Sequence, residues 1–167
     1  MERVELTYLI TFGCYGTHLH GDDRGSVDRR HNQPGTRVMA PDDRLIAAER
    51  YLMDQPAYRL DAQRRDIVLN AIRKTCEHRG WTLLAAHVRT EHVHAVIASR
   101  EPPEKVMLDL KRYASRALNL ASLDASERKR WARHGSTQSL RSPEAVSAAV
   151  RYVVEGQGEE MSFFAAN

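Results

Sequence analysis

Two apolar segments separated by only Arg89-Thr90-Glu91 do most to limit what this chain can fold into. Trp81 to Val88 and His92 to Ser99 both read as strands, and the link between them is short enough for little more than a tight connection. Consecutive strands joined so closely put a sheet at the centre of the molecule, and the remaining elements must pack against it. Val4 to Phe12, rich in β-branched and aromatic residues, supplies another strand, and Ser136 to Leu140 a last one.

Helical segments fall between them. Asp61 to His78 carries Ile67, Val68, Ala71, Ile72 and Thr75 at helical spacing, with Asp61 placed to cap it and Gly80 to close it. A shorter helix runs from Asp42 or Asp43 to about Asp54, and Pro56 ends it. Pro102 and Pro103 open a helix that reaches about Ser122. Ser142-Pro143-Glu144 starts another over Ala145 to Val154; Gly156-Gln157-Gly158 ends it, and the tail beyond is expected to be loosely held. The order strand, helix, strand, strand, helix, strand, with an extra C-terminal helix, is α+β. It is the split β-α-β pattern of a ferredoxin-like sheet, with helices on one face and the other face open to a substrate. Residues 1–167 read as a single domain with a long polar loop insertion at about 13–41, of a kind that tends to carry function.

Composition excludes several classes. With 42% hydrophobic and 28% charged residues, the chain has the make-up of a globular protein. No segment approaches the roughly 20 apolar residues of a membrane span, and Met1 to Glu5 shows no secretory signal. Cys14 and Cys76 form no CxxC pair, so a structural zinc site is disfavoured and free thiols in a reducing cytoplasm are expected. The net charge is +3, with arginines grouped at Asp28-Arg29-Arg30-His31, Lys111-Arg112 and Arg128-Lys129-Arg130. Each group alone suits a solvated face; together they favour a polyanionic partner.

His92-Val93-His94 is the most informative triplet. Strand residues alternate faces, so the two histidines project from one side, about 6.6–6.8 Å apart along the strand. Val93, Ala95 and Ile97 point the other way, under the helices. Imidazoles so placed can converge on one divalent ion and leave room for a phosphate oxygen and water. The spacing is satisfied equally well by two incidental histidines. His18-Leu19-His20, followed by Asp22 and Asp23, lies in the glycine-rich loop where no alternation operates, and reads as exposed polar chain. His87, ending the preceding strand, reads as a structural histidine with its polar atoms satisfied.

The helix from Lys105 to Ala121 carries Tyr113 just outside an apolar arc of Val106, Met107, Leu110, Ala114, Ala117, Leu118 and Ala121. One reading is a boundary tyrosine that packs its ring and wets its hydroxyl. The other is chemical. A phenol is both a usable nucleophile and a better leaving group than a sugar hydroxyl, so a tyrosyl phosphodiester can form and reverse without external energy.

Glu91-His-Val-His-Ala-Val-Ile followed by Leu110-Lys-Arg-Tyr-Ala-Ser-Arg-Ala-Leu-Asn resembles the single-tyrosine HUH transposases. These include the insertion-sequence and REP-associated tyrosine transposases. Tyr8-Leu-Ile-Thr-Phe, Cys14-Tyr-Gly-Thr, Trp131-Ala-Arg-His-Gly and Arg151-Tyr152-Val153 are similar to the same family, so the resemblance spans nearly the whole chain. It implies an HUH nuclease fold, a Mg2+ or Mn2+ ion, and single-stranded or hairpin DNA as partner. The implied reaction leaves a 5′-phosphotyrosine on the enzyme and a free 3′-hydroxyl. By motif match His92 and His94 are the metal ligands and Tyr113 the nucleophile; the basic residues Lys111, Arg112 and Arg116 on the same helix are candidate DNA contacts. Several relatives place a glutamine ligand one turn after the tyrosine. Here that position is Ala117, which leaves Asp109, one turn before Tyr113, as the candidate substitute, with water or a loop residue as alternatives. The competing function is an inactive, domesticated derivative that grips single-stranded or hairpin nucleic acid without cutting it. A phosphoesterase of the type that needs two separated His-x-Thr or His-x-Ser motifs is disfavoured, because the sequence does not hold two. Relatives include monomers and homodimers, and both states stay open.

Overall fold

The computed structural model describes residues 2–17 and 43–167. Nine elements follow in order: β1 (Leu6–Cys14), α1 (Asp43–Leu52), α2 (Ala62–Arg79), β2 (Thr82–Val88), β3 (His92–Ser99), α3 (Pro103–Leu120), β4 (Trp131–Leu140), α4 (Pro143–Glu155) and β5 (Ser162–Ala165). The strands form one sheet in the order β4-β1-β3-β2-β5, antiparallel throughout. His18, His20, Asp22, Asp23, the Asp28 to His31 group and most of the 13–41 insertion lie outside the described residues.

Local chemistry sets the helix ends. The Asp61 carboxylate accepts the Arg64 backbone N–H at 2.9 Å, which satisfies a donor that the first turn leaves orphaned. Gly80 closes α2 at φ 71°, a left-handed conformation that favours a residue without Cβ. Ser142 Oγ accepts the Ala145 N–H at 3.1 Å at the start of α4. An Asp61→Ala or Ser142→Ala change removes about 1 kcal/mol of this support.

The two faces of the sheet are covered differently. Tyr8, Ile10, Phe12, Ala86, Val88, Val93, Ala95 and Ile97 pack against Val68, Ala71, Ile72 and Cys76 of α2 and Val106, Leu110, Ala114 and Leu118 of α3. Contact is close: a Cβ at Gly135 would stand 2.5 Å from Met107 Sδ and 2.6 Å from the Thr11 carbonyl oxygen. On the reverse face Ala85 and Val96 meet Ala149 and Val153 of α4, with Leu9, Leu84 and Leu140 at the margin. The expectation of helices on one face therefore holds for α2 and α3, while the extra C-terminal helix occupies the face expected to stay open. The tail is a second departure. Instead of hanging loose it pairs as β5 with β2, and Ala166 N–H donates to the Leu84 carbonyl at 3.0 Å.

The basic segment before β4 is consumed internally. Arg128 donates to Gln55, to the Pro56 carbonyl and to the Lys129 carbonyl; Lys129 pairs with Asp54 at 2.6 Å. Arg130 is buried and bonds Asn119 at 2.7 Å and Asp124 at 3.4 Å. Arg128 and Lys129 fasten the chain ahead of β4 to the segment before α2 and Arg130 ties it to the end of α3 and the turn after it, structural uses that charge counting does not separate from a phosphate site.

Cys14 and Cys76 lie buried on the α2/α3 side, and burial pushes both thiols up to about 12. Both should resist a disulfide reagent at about pH 8 until the protein unfolds. An unfolded thiol loses its proton near 9.0 while the folded one retains it, so stability falls as pH rises from there toward about 12. Native-state labelling at the rate of a free thiol would contradict this packing.

Candidate active site

His92 and His94 share the α4 face of β3, because period-two alternation commits Val93, Ala95 and Ile97 to the opposite side. Their rings stand edge to face with centroids 5.0 Å apart. Thr11, the cross-strand partner of His94, places Oγ1 2.9 Å from His94 Nδ1. With the imidazole proton on Nδ1, donated to Thr11, the lone pair of Nε2 is exposed to whatever lies beyond it. That atom is buried and has no hydrogen-bond partner. Burial pushes the His94 pKa down to about 3, helped by the nearby charges of His92, His87 and Arg89. The ring is thus neutral, the state in which imidazole binds a metal.

The aromatic ring facing His94 belongs to α4. Tyr152 lies 5.8 Å from it, centroid to centroid, at 80°. This tyrosine is 48% exposed, so its ring is held by the protein while the side chain remains reachable from solvent. Just past the helix end, the Gln157 side chain donates from Nε2 to the Tyr152 carbonyl at 3.2 Å. It also approaches the His94 ring closely enough to favour its protonated form, although Nε2 keeps no hydrogen-bonded partner.

His87 sits opposite His94 in the β2–β3 register and is fully buried. Its Nδ1 is 2.8 Å from the Val153 carbonyl oxygen, and its Nε2 accepts the Met161 N–H at 3.0 Å. Both ring nitrogens are therefore satisfied, and burial holds the pKa below the ordinary imidazole value.

The structure holds the Tyr113 helix apart from the histidines. Tyr113 lies on α3, on the opposite face of the sheet from the histidines, and its hydroxyl accepts from Arg79 of α2 at 3.4 Å. The Arg79 guanidinium also lies 5.8 Å from the Tyr113 ring centroid, the packing of a boundary residue. Asp109, the substitute ligand candidate, is buried on the same far side amid Arg79 at 3.4 Å, Lys105 at 3.6 Å and Arg112 at 3.8 Å. Lys111 is spent on internal bonds. Its ammonium donates to the Ala132 carbonyl at 2.9 Å and the His134 carbonyl at 3.3 Å, and burial lowers its pKa. Arg112 and Arg116 are exposed, but on the helix layer away from the histidines. Among the described residues no three His, Cys, Asp or Glu side chains gather in a metal-binding group.

Sheet and site together define an α+β protein that brings two strand histidines and a helix tyrosine into contact on one face. The family model of IS200-like transposases matches residues 56–154, from α2 to near the end of α4, and the chain belongs to that family. A REP-associated tyrosine transposase, solved bound to a REP hairpin, shares the fold with a TM-score of 0.50 at 13% identity. That match covers 93% of this chain and 69% of the other. A protein of Deinococcus radiodurans assigned as a transposase aligns with a TM-score of 0.46 at 14% identity over 92% of each chain. No curated protein matches this sequence. Among the described residues no helix is long and apolar enough to cross a membrane.

Proposed function

We propose that the chain is a transposase that breaks and rejoins a DNA strand with Tyr152 as nucleophile, His92 and His94 as metal ligands and Gln157 as a third protein donor. The observation that carries this reading is the contact between the buried His94 ring, whose Nε2 lacks a partner, and the half-exposed Tyr152 ring. An orphaned, neutral imidazole nitrogen beside a second histidine is the donor set a divalent cation fits. When bound, magnesium or manganese supplies Lewis-acid polarisation of the phosphodiester. The remaining work belongs to the chain. Thr11 orients His94 by accepting from its Nδ1, the role an outer partner plays at a metal-binding histidine. Tyr152 Oη attacks phosphorus, the bond to the 3′-oxygen breaks, and the phenolic proton ends on that oxygen. A 5′-phosphotyrosine and a free 3′-hydroxyl result. Because a phenol of pKa about 10 leaves more readily than a sugar hydroxyl, the 3′-hydroxyl of another strand end can reverse the step.

Gln157 also removes an anomaly. The glutamine that relatives carry one turn beyond the tyrosine is missing when Tyr113 is the reference, where Ala117 stands. Measured from Tyr152, a glutamine occurs just beyond the first turn. Arg151, exposed and next to Tyr152, takes the place of Lys111 as a candidate phosphate partner.

Access favours unpaired DNA. A tyrosine held over a sheet needs the backbone threaded close to the histidines, and opening a duplex costs a few kcal/mol per step. Single strands, or hairpins with single-stranded flanks, should bind at least about tenfold tighter than blunt duplex. The relative bound to a hairpin supports that substrate form. Affinity should fall with salt at a slope near −0.7 per contacted phosphate, about the single-strand value. Anisotropy titrations at several salt concentrations test both points. Equal affinity for blunt duplex, or a flat salt response, would remove DNA-strand transfer from consideration.

A further inference from the structure

We propose that His87 is a positioning residue that bolts the end of the tyrosine helix and the following segment to the sheet, setting Tyr152 and Gln157 against His94. The proposal rests on the assignment of Tyr152 and Gln157 made above. Its basis is a pair of hydrogen bonds whose directions can be read without ambiguity. A backbone N–H only donates, so His87 Nε2 must accept from Met161 at 3.0 Å. The proton then resides on Nδ1 and is donated to the Val153 carbonyl at 2.8 Å.

Each of the two partners has a structural reason to need the histidine. Val153 lies in the last turn of α4, where carbonyls run out of helical N–H donors. Met161 immediately precedes β5, and its N–H faces a fully buried ring rather than water. The residue before Val153 is Tyr152, and Gln157 lies between the two anchored points, so one side chain holds the chain next to Tyr152 and on both sides of Gln157. Arg89 adds a third tie by donating to the Glu159 carbonyl at 2.7 Å. The bolt is seated next to the site it serves, since His87 and His94 are directly opposite in the β2–β3 ladder and face the same side. A tyrosine on a helix end held only by Ala149 and Val153 packing would be free to shift by fractions of an ångström, and a misplacement near 1 Å can cost about a hundredfold in rate.

The test compares the full chain with His87→Phe, His87→Gln and Met161→Pro. Phenylalanine keeps the volume and loses both hydrogen bonds. Glutamine keeps one neutral donor and one acceptor. Proline at 161 removes the N–H that Nε2 accepts and fixes the local backbone while leaving the His87 ring and its bond to Val153 in place, and decides the matter if His87→Phe does not fold. Two quantities are read: amide exchange over 152–161 in the free protein, and the single-turnover rate of adduct formation on hairpins with randomised single-stranded flanks in manganese buffer. In His87→Phe, exchange over 152–161 should rise at least about tenfold while α2 and α3 keep their protection. The adduct rate should fall by about tenfold or more, with DNA affinity within about twofold. Met161→Pro should show the same pattern more weakly, and His87→Gln should recover most of the rate. Unchanged exchange over 152–161 in both disrupting variants, or wild-type rates in both, would overturn the proposal. Tyr152→Phe is run alongside. If it still forms adduct, the nucleophile assignment fails; if it is silent while both His87→Phe and Met161→Pro react normally, only the positioning role fails.

Discussion

Tyr152→Phe is expected to eliminate the covalent protein–DNA adduct, while Tyr113→Phe is expected to retain it. The phenylalanine ring can keep the edge-to-face contact with His94, so the loss should be chemical. Stability should change by no more than about 0.5 kcal/mol at this half-exposed position. Removing a nucleophile outright should lower the rate by at least about a thousandfold, below detection in a denaturing gel. Tyr113→Phe gives up one long hydrogen bond to Arg79, a cost of about 0.5–1 kcal/mol, on a helix that the sheet separates from the histidines. An adduct formed by the Tyr152 variant, or lost in the Tyr113 variant, would return the assignment to α3.

The second large effect is expected at the histidines. His92→Ala and His94→Ala should each abolish measurable manganese binding in a calorimetric titration, together with strand cleavage. A graded result should come from Thr11→Val, which takes away the acceptor of the His94 Nδ1 proton but leaves both imidazoles. Changes of this kind typically cost about 10–100-fold in metal affinity. Asp109→Asn should leave manganese binding intact, since Asp109 is ion-paired on the other side of the sheet. Unchanged manganese affinity after loss of His94 would sink the metal-site reading altogether.

Much of this architecture is legible in the residues because the interactions responsible are local. Asp61 and Gly80 bound α2 through hydrogen bonds and backbone conformation that depend on neighbours a few positions away. Period-two alternation decided that His92 and His94 share a face and that Val93, Ala95 and Ile97 lie beneath helices. That alternation also separates Tyr113 from the histidines: a helix packed on the Val93, Ala95 and Ile97 side does not present a tyrosine to the His92 and His94 side. The family resemblance pointed to a single tyrosine followed by a glutamine, but two helices carry a tyrosine near their apolar arc. An amphipathic stripe tells which side of a helix is buried and not which face of a sheet buries it, so α4 gave no sign of its location. Nor could charge grouping tell Arg128, Lys129 and Arg130, spent on internal bonds, from cations free to meet phosphate. By itself, then, the sequence determined the helices with the caps of α2 and α4, the existence of the first four strands, the shared face of the two histidines and the chemistry a histidine pair and a tyrosine can do, but not the early start of β4 or the pairing of the tail as β5. The tertiary structure alone decided which tyrosine meets them, because that depends on residues far apart in the chain. Leu9, Ala85, Val96, Ala149 and Val153 close the layer that carries α4 across the histidine face, and the Val153 and Met161 bonds to His87 hold its end there.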